Sequence, residues 1–225
     1  MTHLSIPVQA KSLQDLQKKV KTVSTKADLI EIWLDHLPNA VTPNQIKKIT
    51  KKPFIIVNKP KREKGAWRGN EEQRIERLID ALKAGHAYVD IGLDTDVRLI
   101  KRLIKSKKRG TKIIASFHNF KKTPSEEYLW KLIRKGFSLG ADIVKIATFA
   151  NSYDDSLKIL NILNRARKRK LKVAAMCMGK YGKITRVIGP LYGSYLSFVA
   201  LDKSAKTAPG QLTIDEYKKI ITLVN

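Results

Sequence analysis

Two residues on consecutive apolar segments could together carry out carbonyl chemistry. Lys145 stands in the middle of residues 141–147, an apolar run of strand length, and His118 follows a second such run at residues 112–117. A buried ammonium is unfavourable unless it has partners or loses its proton. A neutral lysine attacks ketones to form a Schiff base, and a neighbouring imidazole can remove a proton from the adjacent carbon. The pair predicts Schiff-base catalysis, against the alternatives of a surface-reaching lysine and a hydrogen-bonded structural histidine.

The elements that must position this pair recur along the whole chain, since apolar runs of strand length alternate with amphipathic helical segments. Strands that are apolar on both faces, and so have no solvent-exposed face, are typical of a parallel sheet covered by helices. Eight strand-then-helix units in residues 1–225 predict an α/β fold, a single-domain (β/α)8 TIM barrel. An open doubly wound sheet is the alternative, but no glycine-rich dinucleotide fingerprint follows the first strand. The predicted strands span residues 3–8, 28–34, 53–58, 87–93, 112–118, 141–147, 173–178 and 197–201.

Two helix starts carry capping signals. Residues 123–126, Thr-Pro-Ser-Glu, predict a capping box with proline at the first helical position. Residues 213–216, Thr-Ile-Asp-Glu, predict the cap of the last helix, which is expected to bury four apolar side chains: Tyr217, Ile220, Ile221 and Val224.

Barrel topology sorts polar residues by face, because loops after strands gather at the end where barrel enzymes place their chemistry. Three runs of lysine and arginine precede strands and therefore belong to the opposite end. The mixture of charges expected at the catalytic end fits a small polyhydroxylated anion. It comprises Glu31, Lys59, Glu63, His118, Lys145, Arg186, Thr207 and Gln211.

The formal net charge of +25 makes nucleic acid the main rival partner. The basic runs lie at predicted helix ends, where cations complement the helix dipole. They are not interleaved with the aromatic side chains of a base-stacking surface. We therefore expect solvated basic faces and no nucleic-acid partner.

No signal-peptide or membrane-spanning run is present in the 225 residues, so the sequence predicts a cytoplasmic protein without a membrane partner. The single cysteine, Cys177, stands in an apolar run and is expected to be a core residue.

Four motifs, in this order along the chain, resemble type I 3-dehydroquinate dehydratase. They are residues 116–125 (SFHNFKKTPS), 140–147 (GADIVKIA), 178–186 (MGKYGKITR) and 207–211 (TAPGQ). The resemblance implies a barrel enzyme of the shikimate pathway that converts 3-dehydroquinate to 3-dehydroshikimate and water. It further implies a homodimer that uses neither a metal nor a nucleotide cofactor.

The resemblance also implies roles for the site residues. Lys145 would form the imine, His118 would move the proton, and Glu63 would orient the imidazole. Arg186 would grip the substrate carboxylate with its planar fork of donors. The remaining predicted substrate contacts are Glu31, Lys59, Thr207 and Gln211.

Four positions depart from the family pattern. Trp33 stands where an arginine is usual, Lys59 replaces another arginine, Lys64 replaces a glycine, and Gly92 replaces a glutamate. Removing an ionic interaction from a buried site costs on the order of 1.5–3 kcal/mol of binding. Two alternatives therefore stay open, namely a different Schiff-base lyase or aldolase, and a ligand- or nucleic-acid-binding protein that uses its basic surface.

Overall fold

The computed structural model describes residues 2–224, in which parallel strands alternate with helices. The strands are β1 His3–Val8, β2 Leu29–Trp33, β3 Phe54–Val57, β4 Tyr88–Gly92, β5 Lys112–Asn119, β6 Ile143–Phe149, β7 Val173–Met178 and β8 Leu196–Phe198. The helices are α1 Leu13–Val23, α2 Pro43–Lys47, α3 Glu71–Lys83, α4 Val97–Lys105, α5 Glu126–Ser138, α6 Tyr153–Lys168, α7 Lys183–Leu191 and α8 Ile214–Val224.

The eight strands form one sheet that closes on itself. Their order is β7-β6-β5-β4-β3-β2-β1-β8, and every paired neighbour is parallel. At the seam between β7 and β8, the Tyr195 N–H donates to the Val173 carbonyl oxygen over 2.8 Å. The predicted (β/α)8 barrel is confirmed, and the open doubly wound sheet is wrong.

The barrel interior changes character from its amino end to its carboxyl end. Ile114 of β5 and Ile143 of β6 belong to a buried apolar cluster inside the barrel. Because side chains alternate along a strand, the next inward positions are Ser116 and then His118 on β5, and Lys145 on β6. The apolar cluster therefore fills the part of the interior nearer the amino ends of the strands. The polar side chains lie next to it, at the end where the strands lead into their following loops.

The predicted capping box at α5 is wrong in its residues. The helix begins at Glu126, and its cap is Ser125, whose Oγ accepts from the Tyr128 N–H over 3.3 Å. The Thr123 hydroxyl instead contacts Thr148 Oγ1 and the Phe149 carbonyl oxygen, each at 2.9 Å. Thr123 thus fastens the loop after β5 to the end of β6.

The last predicted strand and helix are partly confirmed. The β8 ladder ends at Phe198, because Ala200 bonds instead to the segment before α8, with its N–H donating to Leu212 O over 2.8 Å. The predicted Thr213 cap is present, with its Oγ1 accepting from the Glu216 N–H over 3.2 Å. The predicted burial is wrong: the four apolar side chains named for α8 are half-buried or exposed, and Ile214 of the first turn is the buried one.

The other regional predictions concern charge and membranes. The basic runs at residues 47–52, 101–109 and 165–170 end at the amino ends of β3, β5 and β7, opposite the polar end of the barrel. Cys177 is buried, as predicted. None of the helices within residues 2–224 combines the length and the apolar character needed to cross a bilayer.

Candidate active site

All eight residues predicted for the catalytic end line one cavity of about 150 Å³. Its wall also contains Trp33, Lys64, Phe120 and Phe198. A wider surface groove of about 920 Å³ lies elsewhere and contains none of the eight. The chemistry-bearing side chains therefore converge on the smaller cavity.

Lys145 projects from β6 into this cavity and is only 6% exposed. Its Nζ lies 3.3 Å from Glu31 Oε2 and 3.8 Å from Asp90 Oδ2. The ring of Phe198 faces the same nitrogen at 4.1 Å. The amine is thus held against an aromatic face, with a hydrogen bond to Glu31 and a second carboxylate, Asp90, nearby.

His118 stands on the neighbouring strand and faces the same cavity. The β5–β6 register pairs Ser116 with Lys145, so His118 lies diagonally across from the amine and one inward position further along. Its ring stacks on Phe120, with centroids 5.9 Å apart and planes 8° from parallel. The sequence reasoning that placed a lysine and a histidine in one pocket is confirmed in its geometry.

The protonation of His118 depends on burial and on the charged groups around it. Burial and the nearby Lys59 ammonium lower the pKa of His118, against the opposing effect of Glu63. Its Nδ1 lies 2.9 Å from Glu63 Oε2, although the N–H direction falls outside the range of a hydrogen bond. A neutral imidazole at neutral pH is the form that can act as a base.

Lys59 joins the acidic side chains behind the histidine. Its Nζ donates to Glu63 Oε2 over 2.9 Å, to Asp90 Oδ1 over 2.5 Å and to Ser116 Oγ over 3.0 Å. Burial opposes its charge, but Asp90 and Glu63 outweigh it and raise the pKa of Lys59. All three ammonium hydrogens are therefore in use, and the predicted contact of Lys59 with substrate stays a prediction.

The same network keeps the two carboxylates ionised. Burial works against the charge on each, but Lys59 and His118 hold the pKa of Glu63 well below its usual value. Lys59 and Lys145 likewise lower the pKa of Asp90. Glu63 is therefore an anion beside the imidazole, as its predicted orienting role requires.

Sequence reasoning missed Asp90 and Ser116. Asp90 is 1% exposed, and its Oδ1 accepts from Ser116 Oγ over 2.7 Å. The sequence did contain a signal for Asp90, because a single carboxylate inside an apolar strand is as unusual as the lysine of β6. Asp90 contacts both Lys59 and Lys145 and so links the two buried amines.

Arg186 lies in the first turns of α7 and is 5% exposed. Its Nη1 donates to the Phe198 carbonyl oxygen over 3.4 Å, while its Nε has no partner in the part of the chain described. Burial lowers the pKa of Arg186 to about 10. No carboxylate of residues 2–224 pairs with this cation, so it is available to an anion that enters the cavity.

The loop after β8 closes one side of the cavity. The Gln211 Oε1 accepts from the Thr207 N–H over 2.8 Å and from its hydroxyl over 3.2 Å. The Gly179 N–H donates to the Pro209 carbonyl oxygen over 3.1 Å. Gly210 has φ +75°, and a Cβ there would lie 2.5 Å from Gly179 O, so this close approach requires glycine.

Two of the departures from the family pattern have direct structural consequences. The Trp33 Nε1–H donates to Glu31 Oε1 over 2.9 Å, so the indole and Lys145 each donate to one oxygen of that carboxylate, and each oxygen keeps a further acceptor site. A Cβ at Gly92 would lie 2.4 Å from Glu63 Oε1. Glycine in β4 therefore leaves the space that Glu63 occupies.

Residues 2–224 contain no group of three or more His, Cys, Asp or Glu side chains that could hold a metal ion.

Comparison with known proteins agrees with the geometry. A model of the family described as type I 3-dehydroquinase matches residues 4–225. The 3-dehydroquinate dehydratase of Methanococcus maripaludis is 38% identical over 225 residues, covering 99% of this chain and 100% of the relative. That of Methanocaldococcus jannaschii is 37% identical, covering 99% of each chain. The crystal structure of 3-dehydroquinate dehydratase from Geobacillus kaustophilus superposes with a TM-score of 0.91 at 26% identity, covering 100% of this chain and 91% of that one. The chain belongs to the type I 3-dehydroquinase family.

Proposed function

We propose that this chain is a 3-dehydroquinate dehydratase of the shikimate pathway, a hydro-lyase that acts through an imine on Lys145. The observation that carries the proposal is the cavity itself. An amine and a neutral imidazole from adjacent strands line it together, with the buried guanidinium of Arg186, which pairs with no carboxylate of the described residues. This arrangement fits a ketone substrate that carries a carboxylate.

Binding would use the groups that line the cavity. Arg186 receives the substrate carboxylate, which supplies a counterion to the buried guanidinium. Glu31 accepts a hydrogen bond from a substrate hydroxyl. Thr207 and Gln211, in the loop after β8, cover the substrate ring. Lys59 completes the set of proposed substrate contacts, and its bonds to Glu63 and Asp90 support a positioning role in addition.

Catalysis begins with the amine of Lys145 attacking the substrate ketone; the resulting carbinolamine loses water to give the imine. The imine withdraws electrons, so the adjacent C–H becomes acidic and His118 removes its proton. The electron pair forms the new double bond as the hydroxyl leaves, and the imidazolium of His118 returns the proton to that hydroxyl. Hydrolysis of the imine releases 3-dehydroshikimate and regenerates the amine, so the net change is the loss of one water.

Glu63 and Lys59 have opposite effects on the base. The Glu63 carboxylate favours the imidazolium that forms after proton transfer, while Lys59 and burial favour the neutral ring before it. The proposed roles of these two residues are therefore to orient His118 and to balance its two protonation states.

Reductive trapping tests the proposal. Borohydride added with 3-dehydroquinate should leave a mass adduct on Lys145 of the unaltered protein and none on Lys145→Ala. Formation of 3-dehydroshikimate, followed in the absence of borohydride, should be lost in both Lys145→Ala and His118→Ala. A protein that forms the adduct but no product would instead be a different Schiff-base lyase or a binding protein, and a protein without an adduct would refute the imine.

Two further expectations belong to the proposal. Family membership supports a homodimer, and sedimentation at micromolar concentration should give twice the mass of the chain. A biosynthetic enzyme of this pathway works where its small-molecule substrate is made, which supports a cytoplasmic location. Cell fractionation checks the second expectation.

A further inference from the structure

Lys64 follows directly after Glu63 and has an unusual backbone conformation. Its φ is +60° and its ψ is +24°, the left-handed region that favours glycine. The surrounding backbone imposes this conformation. The Lys64 N–H donates to the Lys61 carbonyl oxygen over 2.9 Å, and the Gly65 N–H donates to that of Pro60 over 3.0 Å. A side chain at this position strains the backbone, and glycine would remove the strain.

The Lys64 side chain is directed to the cavity. Its Nζ lies 4.5 Å from the centroid of the Phe120 ring, which also stacks on the imidazole of His118. Lys64 is exposed and lines the cavity at its rim. Within residues 2–224 its ammonium takes part in no hydrogen bond or ion pair, so all three of its donors are free for a ligand.

The other cations of the cavity are already committed or deeply placed. Lys59 uses its donors on Glu63, Asp90 and Ser116, and Lys145 is reserved for the ketone. Arg186 lies buried in the wall. An anionic substrate that enters past Phe120 therefore meets Lys64 as an exposed and unpaired positive charge before it reaches Arg186, which also lacks a carboxylate partner but is buried.

We propose that Lys64 is a substrate-binding residue, whose ammonium contacts an oxygen of the anionic substrate at the rim of the cavity above the stacked Phe120 and His118 rings. This inference rests on the proposed dehydratase function and adds a specific contact to it. Glycine at this position would relieve the backbone strain but would also remove the ammonium from the rim, and the substrate contact accounts for a lysine where glycine fits better.

The chain offers a matched control in Lys170. It is the other non-glycine residue with positive φ among those described, at +56°, and it is also exposed. It lies between α6 and β7, at the end of the barrel opposite the cavity. Replacing either lysine by glycine relieves the same kind of strain, but of the two only Lys64 is placed to contact substrate.

The experiment compares Lys64→Gly, Lys64→Met, Lys64→Arg and Lys170→Gly by steady-state kinetics and thermal unfolding. Lys64→Gly and Lys64→Met should each raise KM about five- to tenfold with kcat within about twofold, since each removes a partly exposed charge from the substrate. Lys64→Arg should keep KM within about twofold of the unaltered protein. Lys170→Gly should leave KM unchanged and raise Tm by about 1–3 °C.

Salt gives a second readout. KM of the unaltered protein should rise between 20 and about 300 mM salt, and the rise should be smaller in Lys64→Met because one of the screened attractions is gone. An unchanged KM in Lys64→Met, or an equal rise of KM in Lys170→Gly, would overturn the inference. Calorimetric binding of 3-dehydroquinate, in proteins that also carry His118→Ala to prevent turnover, tests the contact separately from dehydratase activity.

Discussion

Replacing Lys59 by methionine removes the cation that joins Glu63 to Asp90. The side chain of Lys59 is 4% exposed, and those of Glu63 and Asp90 are 5% and 0% exposed. Methionine has a similar length and fills the same space, so the change isolates the charge. It leaves two buried carboxylates whose remaining neighbours are the imidazole of His118, beside Glu63, and the ammonium of Lys145, 3.8 Å from Asp90.

The expected cost follows from the burial of the network. Breaking a buried ion pair by removing one partner costs about 3–5 kcal/mol, because the other charge is left without compensation. For a protein of this size each kcal/mol corresponds to about 2–4 °C in Tm, so Tm of Lys59→Met should fall by about 6–20 °C. Lys59→Arg keeps the charge and should lose much less.

The stability lost in Lys59→Met should depend on pH in a definite direction. The pKa values of Glu63 and Asp90 are lowered in the folded protein, so their ion pairs stabilise it above the ordinary carboxyl pKa and cease to do so as pH falls through the lowered values. In Lys59→Met the buried carboxylates take up protons at higher pH, which relieves the uncompensated charge. The raised pKa of Lys59 gives a contribution to stability that is fully present below its ordinary pKa and is lost only as pH rises through the raised value, so it adds no pH dependence in the acid range. The difference in unfolding free energy should therefore be largest near pH 7.5 and shrink toward pH 4.5.

Urea denaturation followed by circular dichroism at these two pH values measures the difference. The control is Lys107→Met, because Lys107 pairs with Asp142 at 2.6 Å but both side chains are more than a quarter exposed. That pair should contribute less than about 1 kcal/mol. A loss below about 1 kcal/mol in Lys59→Met, or an equal loss at both pH values, would refute the assignment of Lys59 as the cation that balances this network.

Three further changes test the site. Arg186→Met should raise KM at least about tenfold, because it removes the proposed partner of the substrate carboxylate. It should also raise Tm, because the buried cation that it removes has no counterion among the described residues. A lowered Tm would contradict this reasoning. Glu63→Gln removes the group that raises the pKa of His118, so the acid limb of the pH profile of kcat/KM should move to lower pH, and a shift to higher pH would be the opposite result. Gly92→Ala should displace Glu63, because the new Cβ would lie 2.4 Å from Glu63 Oε1. We expect kcat to fall about tenfold or more while circular dichroism shows an intact fold. An unchanged kcat would show that catalysis tolerates the displacement of Glu63.

Much of the fold and the membership of the site could be predicted because both depend on strand periodicity. The ends of parallel strands meet at one end of a closed barrel, so a residue placed just after its strand is assigned to a face without knowledge of its neighbours. Lys145 and His118 share a cavity for this reason. The same logic missed Asp90, although it occupies an inward position of β4 as anomalous as that of Lys145.

Side-chain contacts between different helices, strands and loops could not be predicted from the sequence. Spacing assigned Lys59 to the catalytic end but could not reveal that Asp90, 31 positions away, takes one of its hydrogens. Likewise, Thr123 carries the capping signal for α5, yet its hydroxyl bonds to β6 and leaves the cap to Ser125. In both cases a partner distant in sequence competes with the local one, and only the folded chain decides the outcome.

The glycine contact between the turn after β7 and the loop after β8 constrains how the cavity can open. Because the Pro209 carbonyl oxygen is bonded to the Gly179 N–H and Gly210 packs against Gly179 O, the loop is anchored at its far corner. Thr207, at the other end, makes its bonds with Gln211, inside the same loop. A movement of this loop that keeps the bond between Gly179 and Pro209 intact is therefore confined to the part that contains Thr207.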